Sequence, residues 1–130
     1  MFVITPQHVL RAYQQGGLDT DVYAASPHGL IQLLLDGAIT AIVQAQGHLA
    51  RHDVADKGMA ISRAISMLEE LRQSLDHTTG GALATNLHAL YDYMIRQLLT
   101  ANLMNQPELL EAVISLLSDL RSAWAAIAPR

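Results

Sequence analysis

The stretch "SPHGLIQLLLDGAITAIVQAQGHL", residues 26–49, decides the fold. Ser26 is a good N-cap and Pro27 suits the first helical position, because its missing N–H would have no intrahelical partner there. Ile31, Leu35, Ala38, Ile42, Ala45 and Leu49 then recur at alternating spacings of four and three, the period of an amphipathic helix. Asp36 is the only charge between Leu30 and Gly47, and Gly37 follows it directly. Gly costs about 1 kcal/mol relative to Ala inside a helix, so its presence points to a close approach by another helix backbone, either a bundle neighbour or a bound partner. Asp36 falls on the more polar side, where it can stay solvated, cap, or pair with a partner.

Three more periodic segments follow. Asp53 reads as the N-cap of a second helix ending near Leu75, with Ala64, Leu68, Leu71 and Leu75 as its stripe and Ile61 and Ile65 beside it. "DHTTGG", residues 76–81, is a loop by composition. The third helix is predicted from about Ala82 to Asn105, with Leu83, Leu87, Leu90, Met94, Leu98 and Ala101 facing the core. Pro107 starts a fourth, whose seam is Leu110, Val113, Leu117, Leu120, Trp124 and Ile127. Four long helices with short connections predict an all-α fold, an antiparallel up-and-down four-helix bundle over residues 26–128. Residues 1–25 read as a separate unit, an arm and connector. "TPQHVLRAYQQ" suits a short helical arm with Val9, Leu10 and Tyr13 on one side, and "GGLDTDVYA" reads as a flexible connector.

The totals exclude several classes. The chain has 130 residues, enough for one domain with its own core. A net charge of -4 without a basic cluster argues against nucleic acid. The absence of cysteine fits the cytoplasm. "MFVITPQHVL" lacks the basic start of a signal peptide, and no apolar stretch is expected to reach the ~18 residues of a membrane span. Hydrophobic residues make up 51% and charged residues only 15%, against a typical ~25%. Surplus apolar surface for a partner is the natural inference.

Catalytic chemistry has little to stand on. The sequence has no phosphate-binding glycine loop, no thiol and no paired Glu-x-x-His. His48 and His52, four apart, form a conceivable two-ligand metal face, but no third ligand has a compelling spacing. His28 and His88 are isolated, and Glu69 and Glu70 read as a solvated face. No cofactor and no metal are expected, and the chain reads as a non-enzyme.

Apolar breadth is more informative. On the first helix Leu30, Leu34, Gly37 and Ala41 flank the seam on one side, Ile39 and Val43 on the other, and Leu33 falls on the nominally outer face. Either this helix is the bundle's central element or its outer side is a partner groove, and the breadth favours the groove. The third helix sets Asn86, Tyr93, Gln97 and Met104 on one flank and Tyr91, Ile95 and Asn102 on the other, residue types that suit recognition. Burial of each tyrosine ring with a wet hydroxyl is the competing reading. Trp124 belongs to the core seam.

"AYQQ" (12–15), "ASPHGLIQLLLDGAI" (25–39), "SLD" (74–76), "NLHALYDYMIRQLLTANLMN" (86–105) and "LLSDLRSAW" (116–124) occur in this order. In that order they resemble the FliS family of cytoplasmic chaperones for flagellin export. The resemblance implies a helical bundle that wraps the disordered C-terminal segment of flagellin over apolar grooves, prevents premature polymerisation and presents the subunit to a component of the flagellar export gate. It implies a cytosolic location without nucleic acid or membrane insertion, and a co-chaperone or anti-sigma factor as further partners. Carried over by motif, Leu10, Tyr13 and Gln14 belong to the arm, and Asn86, Tyr91, Tyr93, Met94 and Asn102 are candidates to line or support the flagellin site, with Leu33, Asp36 and Gly37 on the first helix. The family usually has Tyr or Phe before "DG", where this chain has Leu35. The alternative to the export chaperone is a helical adaptor or regulator that binds another amphipathic segment through the same groove. An oxidoreductase or metal-storage bundle is a third, more distant reading.

Overall fold

The computed structural model of the protein describes residues 26–127. These form four helices: α1 (Pro27–Ala50), α2 (Val54–Gln73), α3 (His77–Met104) and α4 (Pro107–Ala126). The expected arm and connector, Leu10, Tyr13 and Gln14 included, lie outside the described residues. The helices form a ring in which α1 borders α2 and α4, and α3 borders the same two. Contacts at both ends show α1 and α4 running antiparallel: His28 meets Trp124, and Gln46 meets Glu111. The expected four-helix bundle is the observed one.

Helix ends follow their local chemistry. Ser26 Oγ accepts from the Gly29 N–H at 3.0 Å, with Pro27 in the first turn. Asp53 precedes α2 as expected but makes no side-chain capping bond; it pairs with Arg51 instead, at 3.4 Å. Asn105 ends α3 in the left-handed conformation, which Asn tolerates better than most residues.

The segment expected as a loop, 76–81, is largely helical. Asp76 Oδ1 accepts from the backbone N–H groups of Thr78 and Thr79, and Oδ2 accepts from the Thr79 hydroxyl. These bonds, the Thr79 N–H first, hold the Asp76 carboxyl below its usual value. The cap therefore nucleates a turn where composition alone indicated a loop. The turn then breaks at Gly81 (φ 54, ψ -130), a kink that glycine adopts without steric cost.

The core contains the first-helix seam almost as expected, with Ile31, Leu35, Ala38, Ile42 and Ala45 all buried. Two departures matter. The first is α1 as a whole, which is long and apolar enough to cross a membrane by length and composition, contrary to the expected absence of such a stretch. Yet 61% of that apolar window is buried within the chain, as in the core helix of a bundle. Leu33, assigned by register to the outer face, is only 2% exposed. The chain itself covers most of the apolar breadth of α1, with Val43 left exposed.

The second departure is the phase of α3. Its buried residues are Ala84, Tyr91 and Leu98, seven apart, Met94 and Ala101, again seven apart, and Ile95 beside Tyr91 and Leu98. A strict seven-residue spacing drifts slowly around a 3.6-residue helix and marks a left-handed coil. The expected seam mixed this register with its neighbour: Leu83 is 56% exposed, and Leu90 is only half-buried. Ile127, the last residue of the expected α4 seam, is also exposed.

Gly58 and Gly81 differ in a way melting experiments can read. A Cβ on Gly58, inside α2, would meet only Asn102 Oδ1 at 3.8 Å, ordinary contact. Gly58→Ala should raise stability by about 0.5–1 kcal/mol through better helix propensity. A Cβ on Gly81 meets nothing within 4 Å, but the positive φ strains any L side chain. Gly81→Ala should lower stability by about 1–2 kcal/mol. Urea unfolding of both variants checks the pair, and equal signs would contradict the assigned backbone.

Candidate functional site

The polar links between helices lie on particular edges. On α3, Asp92 accepts from Arg72 of α2 at 2.5 Å, and the Asn102 carbonyl accepts from Lys57 of α2 at 2.9 Å. On α4, Arg121 donates to Asp36 of α1 at 3.5 Å, and Glu111 accepts from Gln46 of α1 at 2.8 Å. These links turn one edge of α3 toward α2 and one edge of α4 toward α1. The opposite edges of the two helices, α3 and α4 being neighbours, therefore flank their shared groove.

Both of these edges are apolar. On α3, residues Leu83, Asn86, Leu90, Tyr93, Gln97 and Met104 follow helical spacing and form one strip. Leu83, Asn86, Tyr93 and Met104 are exposed, and Leu90 and Gln97 are half-buried. On α4 the corresponding strip is Leu109, Ala112, Leu116, Leu120, Ala123 and Ile127, half-buried or exposed along its length. A second exposed pair, Leu99 (54%) and Leu103 (80%), lies nearer the α2 edge of α3. One helix thus leaves five large apolar side chains in water, although burial of each would be worth about 1.5–3 kcal/mol. Such a surface can take an amphipathic helix or an extended apolar segment.

The candidate residues separate into groups. Asn86 and Tyr93 stand together on the α3 strip. Tyr91 and Met94 are buried in the core at 2% and 0% exposure, and burial raises the Tyr91 phenol pKa, so it stays neutral. Asn102 lies on the α2 edge, half-buried, its carbonyl held by Lys57. Gly37 is buried on α1, seven residues before Gln44, which accepts from Arg63 of α2 at 3.1 Å; that edge of α1 faces the neighbouring helix. Asp36 accepts from Arg121 and Gln32, so within the chain it bridges α1 and α4. Met104 and Gln97 stand on the same strip, the flank expected of them, and the strip gains Leu83 and the α4 residues, which the sequence places in the core or leaves without a site role. The signal that could have found them was the seven-residue spacing of Ala84, Tyr91 and Leu98.

Two expectations about ring-bearing residues change. His52 is not four residues along a helix from His48, because α1 ends at Ala50 and His52 takes a φ of 62. His48 instead lies near Asp53 and Asp56, their ligand atoms within 4.8 Å of one another. The Arg51 guanidinium occupies that group, 3.1 Å from His48 Nδ1 and 3.4 Å from Asp53, so it reads as an ion-pair network closing the turn. Trp124 is half-buried and not simply core. Its ring stacks on His28 with centroids 4.7 Å apart, its Nε1–H donates to the His28 carbonyl at 3.0 Å, and His28 Nε2 donates to the Trp124 carbonyl at 2.8 Å.

The family described as "Flagellar protein FliS" matches residues 9–130. The flagellar secretion chaperone FliS of Salmonella typhimurium is 47% identical over 122 residues, covering 93% of this chain and 90% of that protein. The flagellar secretion chaperone FliSB of Pseudomonas aeruginosa is 42% identical over 118 residues, 91% of this chain and 94% of its own. The FliS of Vibrio cholerae is 36% identical over 120 residues, with 92% and 88% covered.

Core and strip should behave oppositely on truncation. Leu98→Ala empties a fully buried site and should cost about 2–5 kcal/mol. Tyr93→Ala, at a residue 44% exposed, should change stability by no more than about 0.5 kcal/mol. Thermal melts of both variants check this, and equal losses would undo the division.

Proposed function

The chain belongs to the FliS family of flagellar secretion chaperones, and from that premise we propose that it holds the disordered C-terminal segment of flagellin until export. The paired apolar strips of α3 and α4 are the observation that carries this reading. A segment that becomes helical in the filament has an apolar face that would otherwise recruit other subunits. Laid along the strips, that face is covered, and premature polymerisation is blocked without any chemical step. Ordering such a segment costs ~2–5 kcal/mol and is offset by burying ~1,000–3,000 Å². Tyr93 supplies ring area with a polar tip, and Asn86 and Gln97 can bond the segment's backbone where it leaves helical form.

Work of this kind belongs in the cytosol, before a component of the flagellar export gate receives the subunit. The arm residues Leu10, Tyr13 and Gln14 are assigned to groove covering and presentation by the family resemblance. The same resemblance extends the partner set to a co-chaperone or an anti-sigma factor.

Calorimetric titration with the C-terminal segment of flagellin from the same organism tests the proposal. Tight 1:1 binding with a negative heat-capacity change is expected. Tyr93→Ala and Leu83→Ser should each weaken it at least about tenfold, equivalent to about 1.4 kcal/mol, with melting temperatures near that of the parent. Absence of binding would overturn the flagellin reading and favour a helical adaptor for another amphipathic segment.

A further inference from the structure

At the end of the bundle where the α1–α2 and α3–α4 turns meet, there is a cavity of about 400 Å³. That is within the ~300–1,000 Å³ range of small-ligand sites. Leu49, Val54 and Pro107 give it apolar walls, and Lys57, Asn105 and Asp53 also line it. Lys57 is only 2% exposed. Its ammonium donates to the Asn102 carbonyl at 2.9 Å and to Asn105 Oδ1.

Both acceptors are neutral. Among the described residues no carboxylate pairs with this ammonium. Buried lysines are rare without a counter-charge, because desolvating a cation is costly. The α3 C-terminus offers the ammonium a partial negative charge, which compensates it only in part. An ammonium has three N–H donors, and two are used. Asp53, the anion beside the cavity, is already paired with Arg51 at 3.4 Å.

From these features we infer that the cavity is a binding site for a carboxylate carried on a short apolar stem. One cation with one remaining donor matches a single negative charge; a phosphate dianion would bring more charge than Lys57 can balance. A cationic ligand would be repelled. The apolar walls favour a hydrocarbon stem, either that of a free short-chain acid or that of an apolar C-terminal residue of a polypeptide. The site is separate from the α3–α4 strips and does not depend on their function.

The test is a nitrogen–proton correlation titration of the full chain with sodium butyrate and with N-acetylleucine. N-acetylleucine amide and sodium chloride at matched ionic strength are the controls. Saturable shifts confined to residues 46–57, 105 and 106 are expected with an acid and not with either control. Butyrate alone would assign a free small acid, N-acetylleucine alone a polypeptide C-terminus, and binding of both the shared carboxylate chemistry. Ala50→Phe fills the cavity from the exposed end of α1 without touching the Lys57 hydrogen bonds, and should weaken binding at least about tenfold. Lys57→Met should abolish it, and if that variant fails to fold, Ala50→Phe decides. Absent saturation, equal shifts with the amide, or wild-type binding by Ala50→Phe would overturn the proposal.

Discussion

The seven-residue register of α3 is the constraint from which the rest of the surface follows. Ala84, Tyr91 and Leu98 occupy one line, Met94 and Ala101 the next, and Ile95 adjoins the first, so the helix buries a seam on one side only. Among the described residues, α3 has neighbouring helices on two sides only, α2 and α4. A one-sided seam and two neighbours cannot cover a helix with this many apolar residues. Leu83, Tyr93, Leu99, Leu103 and Met104 are left outside. The free energy their burial would release is available only to something that covers them.

Placement of the polar groups makes that surface usable. The ion pair Arg72–Asp92 and the Lys57 bond to Asn102 lie on the α2 edge of α3, and the Asp36–Arg121 and Gln46–Glu111 links lie on the α1 edge of α4. A segment settling between the α3 and α4 strips meets few charges that it would have to strip of water, the usual penalty for covering a polar surface. The reciprocal His28–Trp124 clamp at one end and Lys57 at the other tie helix termini together. The bundle can therefore keep its register while its side is loaded.

The fold was legible in the sequence because punctuation and period agreed. Ser26–Pro27, Asp53, Asn105 and Pro107 mark helix ends where the structure has them. The segment at 76–81 was not legible, because Thr and Gly composition indicated a loop while the Asp76 cap, a side-chain to backbone interaction, made a turn of helix. The site was legible only in part. Over a few turns a period of 3.5 and one of 3.6 are hard to separate, and the choice moved Leu83 and Leu90 from core to flank. Nor does a helical wheel report what the rest of the chain covers, which is why Leu33 looked outward and is buried.

The run Leu90–Met94, "LYDYM", shows why family membership and site assignment require different arguments. Each step along a helix turns the side chain by about 100°. Five consecutive residues therefore point in five directions: Leu90 is half-buried on the strip, Tyr91 is in the core, Asp92 pairs with Arg72, Tyr93 is in water and Met94 is in the core. As a string the run is one part of the longer block, residues 86–105, that carries the family resemblance. As chemistry it divides among packing, helix pairing and recognition, so only its register against the neighbouring helices says which residue is free to meet a partner. Tyr91 and Tyr93 have the same side chain two positions apart, yet one is held by the fold and the other is left in water.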